Sequence, residues 1–291
     1  MKIKERYRLW AAVAALYAVV LPAGGFMGMT ENRQNTRMQS ESVSETEPVN
    51  KQSIGKENGE NPAASEIVFG ELSLTAEQLD AAEQVFSALG SLDMEKAARI
   101  MDREQEKLTN LFYETMGGKR YLYTPSGFTD QIEGEGMVFT MPGTVFYGYF
   151  KDGKPRGECL ALQFINVDSP RYNYSYGIWR DGRMTGYGST GYCYYENVPQ
   201  GETAKTVKQG NFKNDLLEGE ISCETTGADG TVSHWYMAVS EGVTVIDARW
   251  TWLEEEKEYQ LMSADAKSHG YFISEEQTGQ VMWMNLLGWE L

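Results

Sequence analysis

Tyr176-Gly177-Ile178-Trp179-Arg180-Asp181-Gly182-Arg183-Met184-Thr185-Gly186, running on through Tyr187 to Gly188, is the most strongly patterned segment of the chain. Asp-Gly between alternating aromatic residues is a strong hairpin signal, because the two-residue primed turns need φ > 0 at the tip. The same pattern occurs at Tyr147-Gly148-Tyr149-Phe150-Lys151-Asp152-Gly153-Lys154-Pro155-Arg156-Gly157. It occurs again at Gln209-Gly210-Asn211-Phe212-Lys213-Asn214-Asp215-Leu216-Leu217-Glu218-Gly219, where Asn214-Asp215 is a weaker tip built of residues that tolerate the left-handed region. Every copy has glycine at its start and nine residues later, an aromatic ring at +2, Lys or Arg at +3, and Asp or Asn at +4. Strand alternation puts Gly148 with Phe150, Gly177 with Trp179, and Gly210 with Phe212 on one face. A glycine beside each ring leaves room for a neighbouring repeat to pack close.

The alternation also separates structure from surface. Gly148, Phe150, Gly153, Gly157, Gly177, Trp179, Gly182, Gly186, Gly188, Gly210, Phe212 and Gly219 are expected to carry the repeat itself. The opposite face reads Tyr147/Tyr149, then Tyr176/Ile178, then Gln209/Asn211, fading from aromatic to polar along the array. Tyrosine joins a large contact area to a polar tip and is enriched at interfaces. Tyr147, Tyr149 and Tyr176 are therefore the candidate binding residues, with packing beneath neighbouring elements as the other reading of Tyr147 and Tyr176.

Outward from these copies, 17 of the 30 glycines and 11 of the 17 tyrosines lie between Gly117 and Gly219, which marks the whole region as repetitive. Gly134-Glu135-Gly136 reads as the tail of a decayed copy, and residues 231–242 as a decayed later one. At these residues the chain resembles the MORN-repeat family, most closely over residues 176–188. The resemblance implies an elongated single-layer antiparallel sheet of successive β-hairpins, used as an assembly or protein-interaction surface. Cys159 and Ile221 stand where the family has a further glycine, and Gln209 where it has tyrosine. The copies start 29 and 33 residues apart, longer than the family's usual repeat, so protruding loops are expected at residues 164–173 and 194–206.

Residues 67–118 read as a helical hairpin. Thr75-Ala76-Glu77-Gln78 fits a capping box, and Leu79, Ala82, Val85, Phe86 and Leu89 recur at helical spacing before Gly90. A second helix is expected from Asp93 to Met116, ended by Gly117-Gly118. Before them, residues 31–66 have the composition of a disordered linker. Residues 9–30 are uncharged and follow Lys2, Lys4, Arg6 and Arg8. A bilayer span takes roughly 20 apolar residues, so residues 1–30 read as a signal peptide or a retained transmembrane signal anchor. Either places the body outside the cell membrane or secretes it, with membrane contact through this segment alone. The fold class is thus mainly β with an N-terminal helical hairpin, with residues 119–245 as the repeats and residues 246–291 as a capping segment.

Chemistry is sparse. The net charge of −16 opposes phosphate backbones, whose binding depends on Lys and Arg, so no nucleic-acid partner is expected. Cys159, Cys193 and Cys223 form no CxxC pair; they read as buried small residues, or as one bridge with one thiol left over. His234 and His269 are the only histidines, and no nucleophile motif accompanies them. Glu254-Glu255-Glu256 reads as a solvated face. No catalytic residue, metal site or cofactor is expected, and the chain is not read as an enzyme. The expected function is a non-catalytic extracytoplasmic interaction or scaffold module, partnered by another protein or by itself. The alternative is a carbohydrate- or cell-wall-binding module using aromatic hairpins.

Overall fold

The structure is a computed structural model that describes residues 66–112, 117–141, 143–264, 270–282 and 289. It is mainly β, with one large antiparallel sheet of hairpin strands and few helices. A two-stranded ribbon, β1 (Ile67–Phe69) and β2 (Leu72–Leu74), leads into helices α1 (Ala76–Gly90), α2 (Met94–Arg103) and the short α3 (Gln105–Leu108). Eleven strands follow: β3 (Leu122–Thr124), β4 (Gly127–Thr129), β5 (Gly134–Phe139), β6 (Thr144–Lys151), β7 (Lys154–Asn166), β8 (Pro170–Arg180), β9 (Arg183–Tyr194), β10 (Thr203–Lys213), β11 (Leu216–Gly227), β12 (Val232–Ser240) and β13 (Val243–Thr244). From β5 to β13 every strand pairs with its chain neighbour, and β3 then β4 complete the sheet beside β5. A separate three-stranded sheet, β14 (Trp250–Leu253), β15 (Glu258–Leu261) and β16 (Tyr271–Ser274), comes last.

Turn chemistry sets this order. Asp152 and Gly153 take φ of 52° and 73°, and Asp181 and Gly182 take 53° and 83°. Asn214-Asp215 (51° and 72°) and Glu241-Gly242 (49° and 80°) do the same at β10–β11 and β12–β13. Four tight left-handed tips therefore fold successive strands back on themselves. Close approach between strands demands glycine elsewhere: a Cβ on Gly177 would lie 2.8 Å from Gly188 Cα and 2.9 Å from the Tyr187 carbonyl oxygen.

Two sequence expectations change in length. Residues 164–173 do not protrude, because β7 and β8 run on through them, paired from Gly157 with Trp179 to Asn166 with Pro170. Phe164 and Tyr172 there, with Tyr174 just beyond, are buried in the core shared with the helices, and that burial makes strand preferable to loop. The single helix expected from Asp93 to Met116 is instead α2, α3 and a 3₁₀ turn at Thr109–Leu111, with residues 113–116 outside the described set.

The sheet is one layer thick, but it is not uncovered. On one face the helices pack over β5–β8, burying Val85, Leu89, Met101, Leu108, Phe139, Val145 and Leu162 in a first core. On the other face Phe146, Phe150, Trp179, Phe212, Met237 and Val239 meet Trp250, Leu261, Tyr271, Ile273 and Trp289 in a second. Trp289 stands edge-on to Phe146 at 5.1 Å, and the Arg120 guanidinium lies 4.4 Å over its ring. Burial of these apolar surfaces, at about 25 cal/mol per Å², holds the three layers together.

The reading of a signal peptide, membrane association and a transmembrane helix is corrected. No helix among the described residues is long and apolar enough to cross a membrane. The longest, α1, has 15 residues and carries charge, against the roughly 20 apolar residues a span requires. Residues 1–30 and residues 31–65 of the expected linker lie outside the described residues.

Candidate functional site

The three candidate tyrosines line one open groove of about 830 Å³ on the helix-bearing face. Its floor comes from β6, β7 and β8, with Tyr147, Tyr149, Leu160 and Tyr176; its wall comes from Gly90 at the end of α1 and Leu92 in the turn after it. Glu135, Lys151, Arg156 and Glu158 supply the charge around it. The register explains the gathering. Tyr149 faces Glu135 across β5–β6, while Leu160 faces Tyr176 and Glu158 faces Ile178 across β7–β8.

The three tyrosines differ in exposure. Tyr147 is half-buried beneath α1, its ring edge-on to Phe86 at 5.5 Å. Its hydroxyl comes so close to the helix end that a Cβ on Gly90 would lie 3.3 Å away. Burial and the nearby Glu135 carboxylate both raise the Tyr147 phenol above its ordinary value. Tyr176 is half-buried too and donates its hydroxyl hydrogen bond to Glu158 Oε1. Tyr149 is 45% exposed and stands as the free aromatic surface of the groove. Of the three, Tyr147 and Tyr176 pack against the first core, and Tyr149 does not.

The same face continues beyond the groove. Ile178 is 43% exposed, Tyr187 59% and Tyr236 52%. Tyr187 lies opposite Asn211, and Glu220 opposite Ala238, so an open strip crosses β6 to β12 with aromatic and acidic residues interleaved. The repeat residues Phe150, Trp179 and Phe212 lie on the other face, buried in the second core. Tyr187 and Tyr236 fall outside the matched repeat positions; Tyr187 shares strand parity with Ser189, which faces Tyr176, and Tyr236 shares it with Ala238, which faces Glu220.

Cys159 is buried on the far side of the groove floor, and burial pushes its thiol up to about 11. No disulfide joins Cys159, Cys193 and Cys223. His234 packs against Tyr236, the rings tilted by 50° with centroids 4.6 Å apart, and His269 lies outside the described residues. Glu254 pairs with Lys257 at the β14–β15 turn. No group of His, Cys, Asp and Glu able to hold a metal ion occurs among the described residues.

Two buried ionisable residues escaped the sequence reading. Glu224 on β11 sits between Val207 and His234 on the strip's face, and Lys208 on β10 faces the second core. Parity was the available signal for Lys208, since it shares its face with Gly210 and Phe212. Compared with known proteins, the chain matches no family model and no curated sequence.

Proposed function

We propose that this chain is a non-catalytic interaction module of MORN-type β-hairpin repeats, with an N-terminal helical hairpin bracing one end, and that it binds an extended segment of a protein partner. One observation carries the reading. The helix-bearing face leaves Tyr149, Ile178, Tyr187 and Tyr236 exposed on a scaffold whose other aromatic residues are mostly covered. Exposed aromatic residues gathered on one face among polar groups mark interaction sites. A groove continuous with a strip along several strands suits an extended peptide, whose alternate side chains would enter it. Assembly by strand addition is less well served, because the sheet ends in β4 and β13, of three and two residues.

A carbohydrate ligand is the second reading, favoured by the exposed Tyr149 ring standing beside the Glu135 and Glu158 carboxylates. Parallel selections on a random peptide library and a glycan array distinguish the two. Enriched peptides that compete with one another for the groove are the expected result. Retention on glycans with no peptide enriched would overturn the protein-interaction reading in favour of the second.

A further inference from the structure

The groove on the helix-bearing face has a charge pattern around its exposed ring. Glu135 on β5 lies directly opposite Tyr149 on β6, in a pairing that sets side chains about 5 Å apart at their Cβ atoms. On the other flank β7 approaches through a bulge. Gly148 pairs with Cys159, and the Cys159 thiol donates to the Tyr149 carbonyl at 3.4 Å. A Cβ on Gly148 would lie 2.8 Å from the Glu158 carbonyl oxygen, so Glu158 follows β6 at the level of Tyr149. The Glu158 carboxylate is turned to this face, since the Tyr176 hydroxyl donates to it. Tyr149 therefore stands between two exposed acids, and all three line one cavity.

Among the described residues, the ion pairs leave out both Glu135 and Glu158. The cations that sit over rings sit over rings other than Tyr149. Elsewhere the chain completes the same set from its own residues. The Arg99 guanidinium lies 4.7 Å over the Tyr195 ring, while Nε donates to Glu95 at 3.0 Å and Nη1 to Glu196 at 3.3 Å. On the strip itself, Arg249 donates to the two oxygens of Glu220 at 2.7 and 3.1 Å. A guanidinium suits such a set because it is flat: it stacks on a ring and donates sideways in its own plane, which a lysine ammonium cannot do. The net charge of −16 also favours a cationic partner. Lys151 and Arg156 line the groove toward the Asp152-Gly153 tip and leave the acids beside Tyr149 unneutralised. We propose that the groove recognises an arginine of the partner segment, its guanidinium stacked on Tyr149 and donating to Glu135 and Glu158. The inference rests on the protein-interaction reading and names what that partner presents.

The test titrates the full chain, carrying isotope-labelled tyrosine, with acetyl-Gly-Arg-Gly-amide and its lysine and citrulline counterparts at constant ionic strength. Ring resonances are followed by NMR, with Tyr149 assigned from its loss in Tyr149→Leu. The arginine peptide is expected to shift the Tyr149 resonance saturably. The lysine peptide, of equal charge, should bind more weakly, and the neutral citrulline peptide should not bind. Glu135→Gln keeps the shape of an exposed side chain and should weaken the arginine peptide about tenfold. Tyr149→Leu, read at Tyr176, should weaken it about fivefold. No saturable shift, an equal response to the lysine or citrulline peptide, or unchanged affinity in Glu135→Gln would each overturn the proposal. The two readings fail separately. Library peptides enriched without arginine, alongside a silent tripeptide, overturn the arginine pocket and keep the interaction reading. A bound arginine tripeptide with no longer peptide enriched supports the pocket and overturns the extended partner.

Discussion

Glu224 shows how one residue can make stability depend on pH near neutrality. Its carboxyl is 5% exposed, its Oε1 has no hydrogen-bond partner, and burial pushes its pKa up to about 7 from the ordinary 4.5, with Lys205 opposing. A raised value in the folded state means that folding favours the protonated acid. The contribution is therefore fully present below the unfolded value and is lost as pH rises through about 7. The native chain should lose on the order of 2 kcal/mol relative to Glu224→Gln between pH 4.5 and 7.5. Unfolding midpoints of both proteins across that range check it, and parallel curves would contradict it. Glu224 was not legible beforehand. Its burial depends on neighbours on β10 and β12, whose register no single strand encodes.

At the scale of the element, the hairpins rest on two different demands for glycine, and substitution separates them. Gly153 has φ of 73° and open space where a Cβ would go, so Gly153→Ala meets backbone strain alone, about 1 kcal/mol. Gly177 has ordinary φ but would drive a Cβ into β9, so Gly177→Ala must push β8 and β9 apart and should cost more, about 2–4 kcal/mol. Chemical denaturation of both variants checks the order, and equal losses would contradict the register between β8 and β9. The tips at Asp152-Gly153 and Asp181-Gly182 were legible because turn type depends on local residues. The extent of the strands was not. Phe164, Tyr172 and Tyr174 stay in β7 and β8 because helices distant in sequence cover them, and alternation alone does not show that cover. The capping box at Thr75 and Gln78 is local and could be read, with Gln78 N–H donating to Thr75 Oγ1 at 3.2 Å. The break after Arg103 could not, since Leu108, Leu111 and Phe112 keep helical spacing across it.

Over the whole molecule, the proposed function divides labour between the two sheet faces. The second face is covered at Phe150, Trp179 and Phe212, while the first keeps Tyr149, Ile178, Tyr187 and Tyr236 exposed. The repeat pattern made the order of strands legible, since each copy is a hairpin and neighbours in sequence become neighbours in the sheet. The C-terminal sheet was not legible, because nothing in residues 246–291 repeats and its strands are chosen by contact with the second core. Tyr147 and Tyr176 line the groove while packing against the first core, and Tyr187 joins Tyr149 as an exposed aromatic residue on that face. The most direct test is the double variant Tyr149→Ala with Tyr187→Ala, compared with Trp179→Ala in thermal unfolding and in binding to peptides selected on the native chain. The double variant should unfold within about 1 kcal/mol of the native chain, as exposed substitutions do, while binding falls at least about tenfold, as at an interface anchor. Trp179→Ala should lose about 3–5 kcal/mol of stability. Unchanged peptide binding in the double variant, or a loss of stability as large as that of Trp179→Ala, would contradict the division between a structural and a binding face.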